Sequence, residues 1–343
     1  MTELAAASFT GLVDLAAEAL GGRALSASDE FFAAKENLLK PGRGVFIAGK
    51  YTDRGKWMDG WESRRKRVSG HDHCIIELGA PGQVLGFDID TNHFLGNHPP
   101  FASVEGIWAE PDTPLPELER MAFRELLAQV PLRPGSQNLF AAERGEAVTH
   151  VRLNIFPDGG VARFRVYGKV KPGRAQPPSD AETRVHVVDA RSIDLAALRN
   201  GALALACSDA FFGPMNNLLL PERAADMGGG WETRRKRAPG YDWILIKLAE
   251  RGRISVLELD TNHFKGNYPD RASVEVIDAP DLQITDLIAS RGFVPLLGET
   301  KLQADTRHFF QSELSAHAPV THLRLNIFPD GGVSRLRAWG TRD

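Results

Sequence analysis

Residues fit for proton transfer and anion binding occur in this chain in pairs, one set in each half. Trp61-Glu62-Ser63-Arg64-Arg65-Lys66-Arg67 reappears as Trp231-Glu232-Thr233-Arg234-Arg235-Lys236-Arg237, 170 positions on. Arginine presents a planar fork that grips a carboxylate at two points, which lysine does not. In an extended run Arg65 and Arg67 point one way, and Arg64 and Lys66 the other. Arg65 and Arg67, with Arg235 and Arg237, therefore form a candidate anion clamp. The competing reading is a solvated run whose arginines pair with nearby acids.

A second motif, Asp90-Thr91-Asn92-His93, returns as Asp260-Thr261-Asn262-His263 directly after an apolar strand. Functional loops favour such strand ends. Asp90, Asn92 and His93, like Asp260, Asn262 and His263, are candidates to bind ligand or move protons. Imidazole, with an ordinary pKa near 6.5, suits that work at neutral pH. The alternative is an Asx turn in which the Asp and Asn satisfy backbone N–H groups while the histidine packs. Ser28-Asp29 and Ser208-Asp209 each precede an aromatic pair; a turn or cap is one reading, an acceptor for ligand N–H groups at Asp29 and Asp209 the other. His71-Asp72-His73-Cys74 has the look of a metal site. Its counterpart, Tyr241-Asp242-Trp243-Ile244, lacks both histidines. Two ligands fall short of the three or four that zinc takes, so no metal or other cofactor is expected, a divalent ion being the alternative. The chain carries no phosphate-cradling glycine loop, nucleophile elbow or paired-histidine zinc helix.

The positioning elements are themselves duplicated. Ala102–Glu105 returns at Ala272–Glu275, and Thr149–Gly168 returns at Thr321–Gly340 with an offset of 172. Ser28–Leu39 returns at Ser208–Leu219 with an offset of 180, so the first copy carries about ten extra residues around Gly42–Asp53. A period this long is a domain rather than a solenoid unit. The Pro-rich stretch Lys171–Glu182 reads as a linker, dividing the chain into Met1–Val170 and Lys171–Asp343. Most segments in each copy alternate as short strands. With Pro157–Gly160 as a loop, Val151, Leu153 and Ile155 would pair with Val166, Phe164 and Ala162. The other face would carry His150, Arg152 and Asn154 against Tyr167, Arg165 and Arg163, with His322, Arg324 and Asn326 equivalent in the second copy. Burying such an apolar face takes a second sheet, which predicts a mainly β fold of two tandem jelly-roll β-sandwich domains. Short helices are predicted at Gly11–Leu20 and Pro116–Val130.

Composition narrows the function classes. Of the 343 residues 43% are hydrophobic, enough for two cores, and 41 basic against 44 acidic residues leave a net charge of −3. A protein that lives on phosphate backbones shows a basic excess, so nucleic acid is excluded as a partner. No apolar run reaches membrane-spanning length, and the N-terminal segment lacks the basic start of a secretory signal. The two cysteines, Cys74 and Cys207, fall at non-equivalent places, which fits a reducing cytoplasm.

Taken together, Ser26–Ala33, Asp59–Arg67, Asp88–Asn97, Ala102–Gly106 and Thr149–Gly168, each with its echo, resemble the allantoicase family over essentially the whole chain. The resemblance implies two galactose-binding-like jelly rolls, a homo-oligomer, and hydrolysis of allantoate to ureidoglycolate and urea in purine (allantoin) degradation. Allantoate is a small carboxylate whose central carbon carries two ureido groups. A pocket for it needs a cationic fork, acceptors for ureido N–H groups and a proton donor for departing urea. On that expectation Arg65, Arg67, Arg152 and their counterparts Arg235, Arg237 and Arg324 hold the carboxylate. Glu62 or Asp90 (Glu232 or Asp260) accepts N–H bonds or activates water, and His93 or His263 protonates the leaving nitrogen. The rival expectation is a non-catalytic jelly roll that binds a small ligand or carbohydrate, because fold does not fix function.

Overall fold

The computed structural model describes residues 9–110, 112–171 and 180–343. The chain divides into two compact units, Met1–Lys171 and Pro172–Asp343. Most of the Pro-rich linker lies outside the described residues.

In the first unit the strands are β1 (Val13–Asp14), β2 (Arg23–Ala27), β3 (Tyr51–Thr52), β4 (Gly55–Lys56), β5 (Trp61–Glu62), β6 (Asp72–Asp90), β7 (Phe101–Ile107), β8 (Arg124–Pro131), β9 (Leu139–Ala141), β10 (Ala147–Phe156), β11 (Gly160–Val161) and β12 (Arg163–Val170). The main ladder runs β1-β12-β6-β10-β7-β8, with β2 and β9 also on β6. The second unit repeats it with β13 (Ile193–Asp194), β14 (Leu203–Cys207), β15 (Trp231–Glu232), β16 (Asp242–Asp260), β17 (Arg271–Ile277), β18 (Val294–Lys301), β19 (Arg307–Phe310), β20 (Val320–Phe328), β21 (Gly332–Val333) and β22 (Arg335–Arg342), in the order β13-β22-β16-β20-β17-β18. Each unit is a jelly-roll β-sandwich.

The expected hairpin between β10 and β12 does not form. β10 pairs with β6 and β7, and β12 pairs with β6 and β1. Ile155 lies opposite Asp72 and Arg163 opposite Asp90, the two ends of a 19-residue strand. Straight, that strand would span about 60 Å, and the six residues between Phe156 and Arg163 reach only about 20 Å. β6 therefore folds back near Pro81-Gly82 and serves both sheets. The alternation that suggested two neighbouring strands is instead one apolar face from each sheet. Val151, Leu153, Ile155, Phe164 and Val166 are all fully buried, and Phe164 stacks on Phe87 at 6.0 Å.

Both predicted helices fail. Gly11–Leu20 holds β1 and a single 3-10 turn at Glu18–Leu20, and Pro116–Val130 holds the end of a one-turn helix (Leu115–Leu118) followed by β8. A helical spacing of Leu118, Met121, Leu126 and Leu127 was available, but Phe101–Gly106 offers an open ladder edge to Arg124–Pro131, and pairing an edge outweighs weak helix propensity.

The fold-back brings Asp72, Asp90 and the Pro157–Gly160 crossover to one end of the sandwich. There Phe94, fully buried, packs so tightly that a Cβ on Gly160 would lie 2.0 Å from its ring, and Gly159 adopts φ 139°. The Gly-Gly pair is needed for two separate reasons, a left-handed turn and a close approach. Gly331 and Gly332 repeat both features.

Candidate functional site

Glu62 is held at this end by strand pairing on both sides. β5 pairs with β11, Glu62 opposite Gly160, and the Glu62 N–H donates to the Ala33 carbonyl at 3.1 Å. Its Oε1 accepts a bond from Asn97 Nδ2 at 2.7 Å. The Asn97 carbonyl in turn accepts the Gly160 N–H at 2.8 Å, so the crossover, the Asp90–Asn97 loop and the glutamate form one rigid unit. Burial pushes the Glu62 carboxyl above the usual carboxylate range, and the Asn97 bond offsets part of that.

His93 has φ 67°, a left-handed conformation uncommon outside glycine but several-fold enriched for histidine and asparagine. Among the described residues its neighbouring ring is Phe46, centroids 5.8 Å apart. Glu62 and His93 line a single cavity of about 320 Å³ together with Phe32, Lys56, Met58 and Asn97. One lining residue, Lys56, comes from the small β3–β4 hairpin beside the extra segment of the first copy, and Phe46 of that segment lies against His93. In the second copy a short turn, Met227–Gly229, stands instead. The Glu232–Asn267 bond is kept at 2.5 Å and His263 has φ 69°. The His263 ring, however, is engaged: its Nε2 donates to the Ala224 carbonyl at 2.9 Å.

The remaining candidates from the sequence fall into two groups. Most are committed to internal partners. Arg64 binds Asp29 through Nε and the backbone N–H, and Arg234 binds Asp209 likewise, so these aspartates are not open acceptors for ligand. Burial alone would raise Asp29, but bonds from Arg64 and the Phe31 N–H hold it below its ordinary value. Lys66 pairs with buried Asp72 at 2.6 Å, and Lys236 with Asp242 at 2.8 Å. Asp90 takes both Nε and a terminal nitrogen of Arg43 at 2.8 Å, and Asp260 takes Arg223 in the same way. The Asn92 and Asn262 N–H groups donate to Asp90 and Asp260, which makes the Asx turn the arrangement found. Asn92 Nδ2 donates to the Gly44 carbonyl and Asn262 Nδ2 to that of Ala224. Arg152 binds Glu105 and covers the Phe123 ring, while Arg324 does the same with Glu275 and Phe293, away from the Glu62 cavity. Arg65, Arg67, Arg235 and Arg237 form the other group. All four are exposed, and none has an internal partner among the described residues.

At His71–Cys74, the run with the look of a metal site, the His71 ring lies tilted against Phe156 at 4.6 Å and burial lowers the pKa of His73. Among the described residues, no three His, Cys, Asp or Glu side chains are gathered as a metal site. Four residues escaped the sequence reading. Lys56 borders the extra segment, and Asp226 stands 170 positions on, so no repeated lysine flags it. Asn97 lies inside a repeated motif, and its recurrence as Asn267 was the available signal. Arg43 and Arg223 follow the repeated Asn-Leu-Leu by a shared Pro-x-Arg at the 180 offset.

The family model described as the Allantoicase repeat matches twice, over residues 13–171 and 193–343. A protein named "Probable allantoicase 1" from Burkholderia mallei is 48% identical, covering 96% of this chain and 95% of its own length. A "Probable allantoicase" from Acinetobacter baylyi is 42% identical over 97% of this chain and 95% of its own. The crystal structure of allantoicase from Saccharomyces cerevisiae superposes with a TM-score of 0.82 at 35% identity, covering 99% of this chain and 98% of that one.

Proposed function

This chain belongs to the allantoicase family, and from that premise we propose that it hydrolyses allantoate to ureidoglycolate and urea in the first-repeat cavity lined by Glu62 and His93. The observation that carries the proposal is the shared cavity itself: a carboxylate raised by burial and an imidazole with no hydrogen bond among the described residues line one open cleft, with Lys56 as its cation.

The roles follow from the chemistry. Lys56 takes the substrate carboxylate. Arg65 and Arg67, three and five positions after Glu62, are the unpaired arginines available to assist it. Asn97 fixes the Glu62 carboxylate, which withdraws a proton from water as the water oxygen bonds to the central carbon. The bond from that carbon to one ureido nitrogen breaks, and His93 gives that nitrogen a proton, so urea leaves neutral. Glu62 ends protonated and His93 neutral, and both reset through solvent. Acid–base groups of this kind each contribute about 10²–10⁴-fold.

Urea release from allantoate by the purified chain is the test. Glu62→Gln and His93→Ala should each lower kcat by about 10²-fold or more. Glu232→Gln and His263→Ala should stay within severalfold of the parent. Near-normal turnover of both first-repeat variants would remove this cavity from the chemistry. The pH profile carries a sign as well. Glu62 acts ionised, so its raised pKa moves the acid limb of kcat/KM upward from the ordinary carboxylate value near 4.5. Glu62→Gln abolishes that limb.

The proposal routes no step through a metal, and turnover should survive chelator treatment. It also places the enzyme in the cytoplasm as a homo-oligomer. Both cysteines are unbridged, and no helix among the described residues is long and apolar enough to cross a membrane. Sizing of the purified chain tests the assembly.

A further inference from the structure

A second cavity of about 310 Å³ opens in the first unit, lined by Asp14, Arg43, Asp88, Gln137, Arg165 and Tyr167 among others. The second unit has its equivalent, of about 190 Å³, lined by Asp194, Arg223, Glu258, Arg307, Arg337 and Trp339. The two differ at three decisive positions.

In the second unit the guanidinium of Arg307 projects into the space and narrows it. Its Nε and one terminal nitrogen donate to Glu258 Oε1 at 2.8 and 2.6 Å, and the other terminal nitrogen donates to Asp180 at 3.0 Å and Glu182 at 2.8 Å. Thr183 Oγ1 accepts a further bond at 2.7 Å. Arg199 lines the same space. In the first unit the Arg307 position is Gln137, the Arg199 position is Ala19, and Asp88 stands for Glu258. Gln137 Nε2 donates to Asp88 Oδ2 at 2.6 Å. Asp88 Oδ1 has no partner among the described residues, although the side chain is only 3% exposed. A buried carboxylate oxygen without a donor is costly; in the twin site Glu258 takes two guanidinium bonds, both on Oε1, where Asp88 takes a single amide bond.

We propose that the first-unit cavity is a binding site for a small molecule bearing a planar N–C–N group with N–H donors, a guanidinium or a ureido group, which bonds Asp88 as Arg307 bonds Glu258 in the second unit. The remaining charged groups are already balanced. Arg43 is spent on Asp90, and Arg165 on the carbonyls of Leu39, Lys40 and Gly42 with Asp14 nearby. The vacant demand is therefore for a donor. Burial pushes Asp88 up to about 6, with Asp90 on the same strand adding to the rise and Gln137, Arg165 and Arg43 opposing it. Tyr167, pushed up to about 12, stays neutral beside it.

The site is separate from the Glu62 cavity, and its test does not use turnover. Methylguanidinium and N-methylurea, each with a methyl proton signal, are titrated against the full chain by saturation-transfer NMR at pH 7.5. Methylguanidinium should saturate, and Gln137→Arg, which supplies the second unit's own plug, should weaken it by about tenfold or more, as should Asp88→Asn. Lowering the pH to 5, below the Asp88 pKa, should weaken it in the parent chain. N-methylurea binding with the same dependence on both variants assigns the site to neutral ureido groups as well. Its absence restricts the site to cations. Failure of methylguanidinium to saturate in the parent, or saturation unchanged in both variants, overturns the proposal. The proposed allantoate chemistry stands or falls separately, on Glu62→Gln and His93→Ala.

Discussion

At the scale of single residues, burial decides which charged groups are free to act. Arg163 is 4% exposed and bonds Asp59 Oδ2 at 2.7 Å and the Asp59 carbonyl at 3.1 Å. Among the described residues its counterpart Arg335 keeps only carbonyl partners, including that of Gly229 at the Asp59 position, and burial brings its pKa down to about 10. Asp59→Ala strips a buried guanidinium of its counter-ion but keeps the carbonyl bond. It should cost about 3 kcal/mol, the low end for a broken buried pair, read from a denaturant melt. Asp88 behaves in the opposite sense. Its folded pKa of about 6 lies above the ordinary 3.8. The fold therefore favours the protonated form, and stability is lost as pH rises through 6. Asp88→Asn should raise stability at pH 7.5 by up to roughly 3 kcal/mol, and the gain should vanish at pH 4. Nothing in the sequence marks Asp88 as special. Its neighbour Asp90, which looked catalytic because it opens a repeated polar motif, is bonded by Arg43 on both oxygens.

At the scale of elements, alternation revealed which faces are apolar but not which strands are neighbours. The residues assigned to one face of a β10–β12 hairpin are indeed buried, yet from two different sheets, because β6 folds back and pairs with each in turn. A period of two records burial and is blind to pairing. The Pro-Asp-Gly-Gly crossover also looked like an ordinary hairpin loop. Its second glycine instead admits the Phe94 ring. Gly160→Ala should lower stability by about 2 kcal/mol or more through overpacking, and Gly332→Ala should do the same against Phe264. Calorimetric melts of both variants check this, and a loss at neither position would mean that the rings move aside freely. The first-copy insertion is the other element that matters. Because it has no echo, only its length could be inferred, while the placement of its Phe46 beside His93 comes from the folded chain.

For the molecule as a whole, duplication has left two units with one architecture and unequal sites. The imidazole without a hydrogen bond among the described residues and the Lys56 hairpin belong to the first, and the cavity narrowed by Arg307 to the second. A non-hydrolysable substrate analogue should therefore occupy the Glu62 cavity at one equivalent per chain by calorimetry, whereas two equal sites would restore catalytic standing to the second unit. The sequence by itself determined the duplication, the β class, the family and the chemical kinds of residue on offer, because periodicity and recurrence survive in one dimension. Which of those residues remain available was decided only by tertiary structure. Arg64 and Arg65 are the same residue type one position apart, yet one is bound to Asp29 and the other is exposed without a partner among the described residues. That difference depends on which distant carboxylate the folded strands bring within hydrogen-bonding reach, a distance that spacing along the chain does not encode.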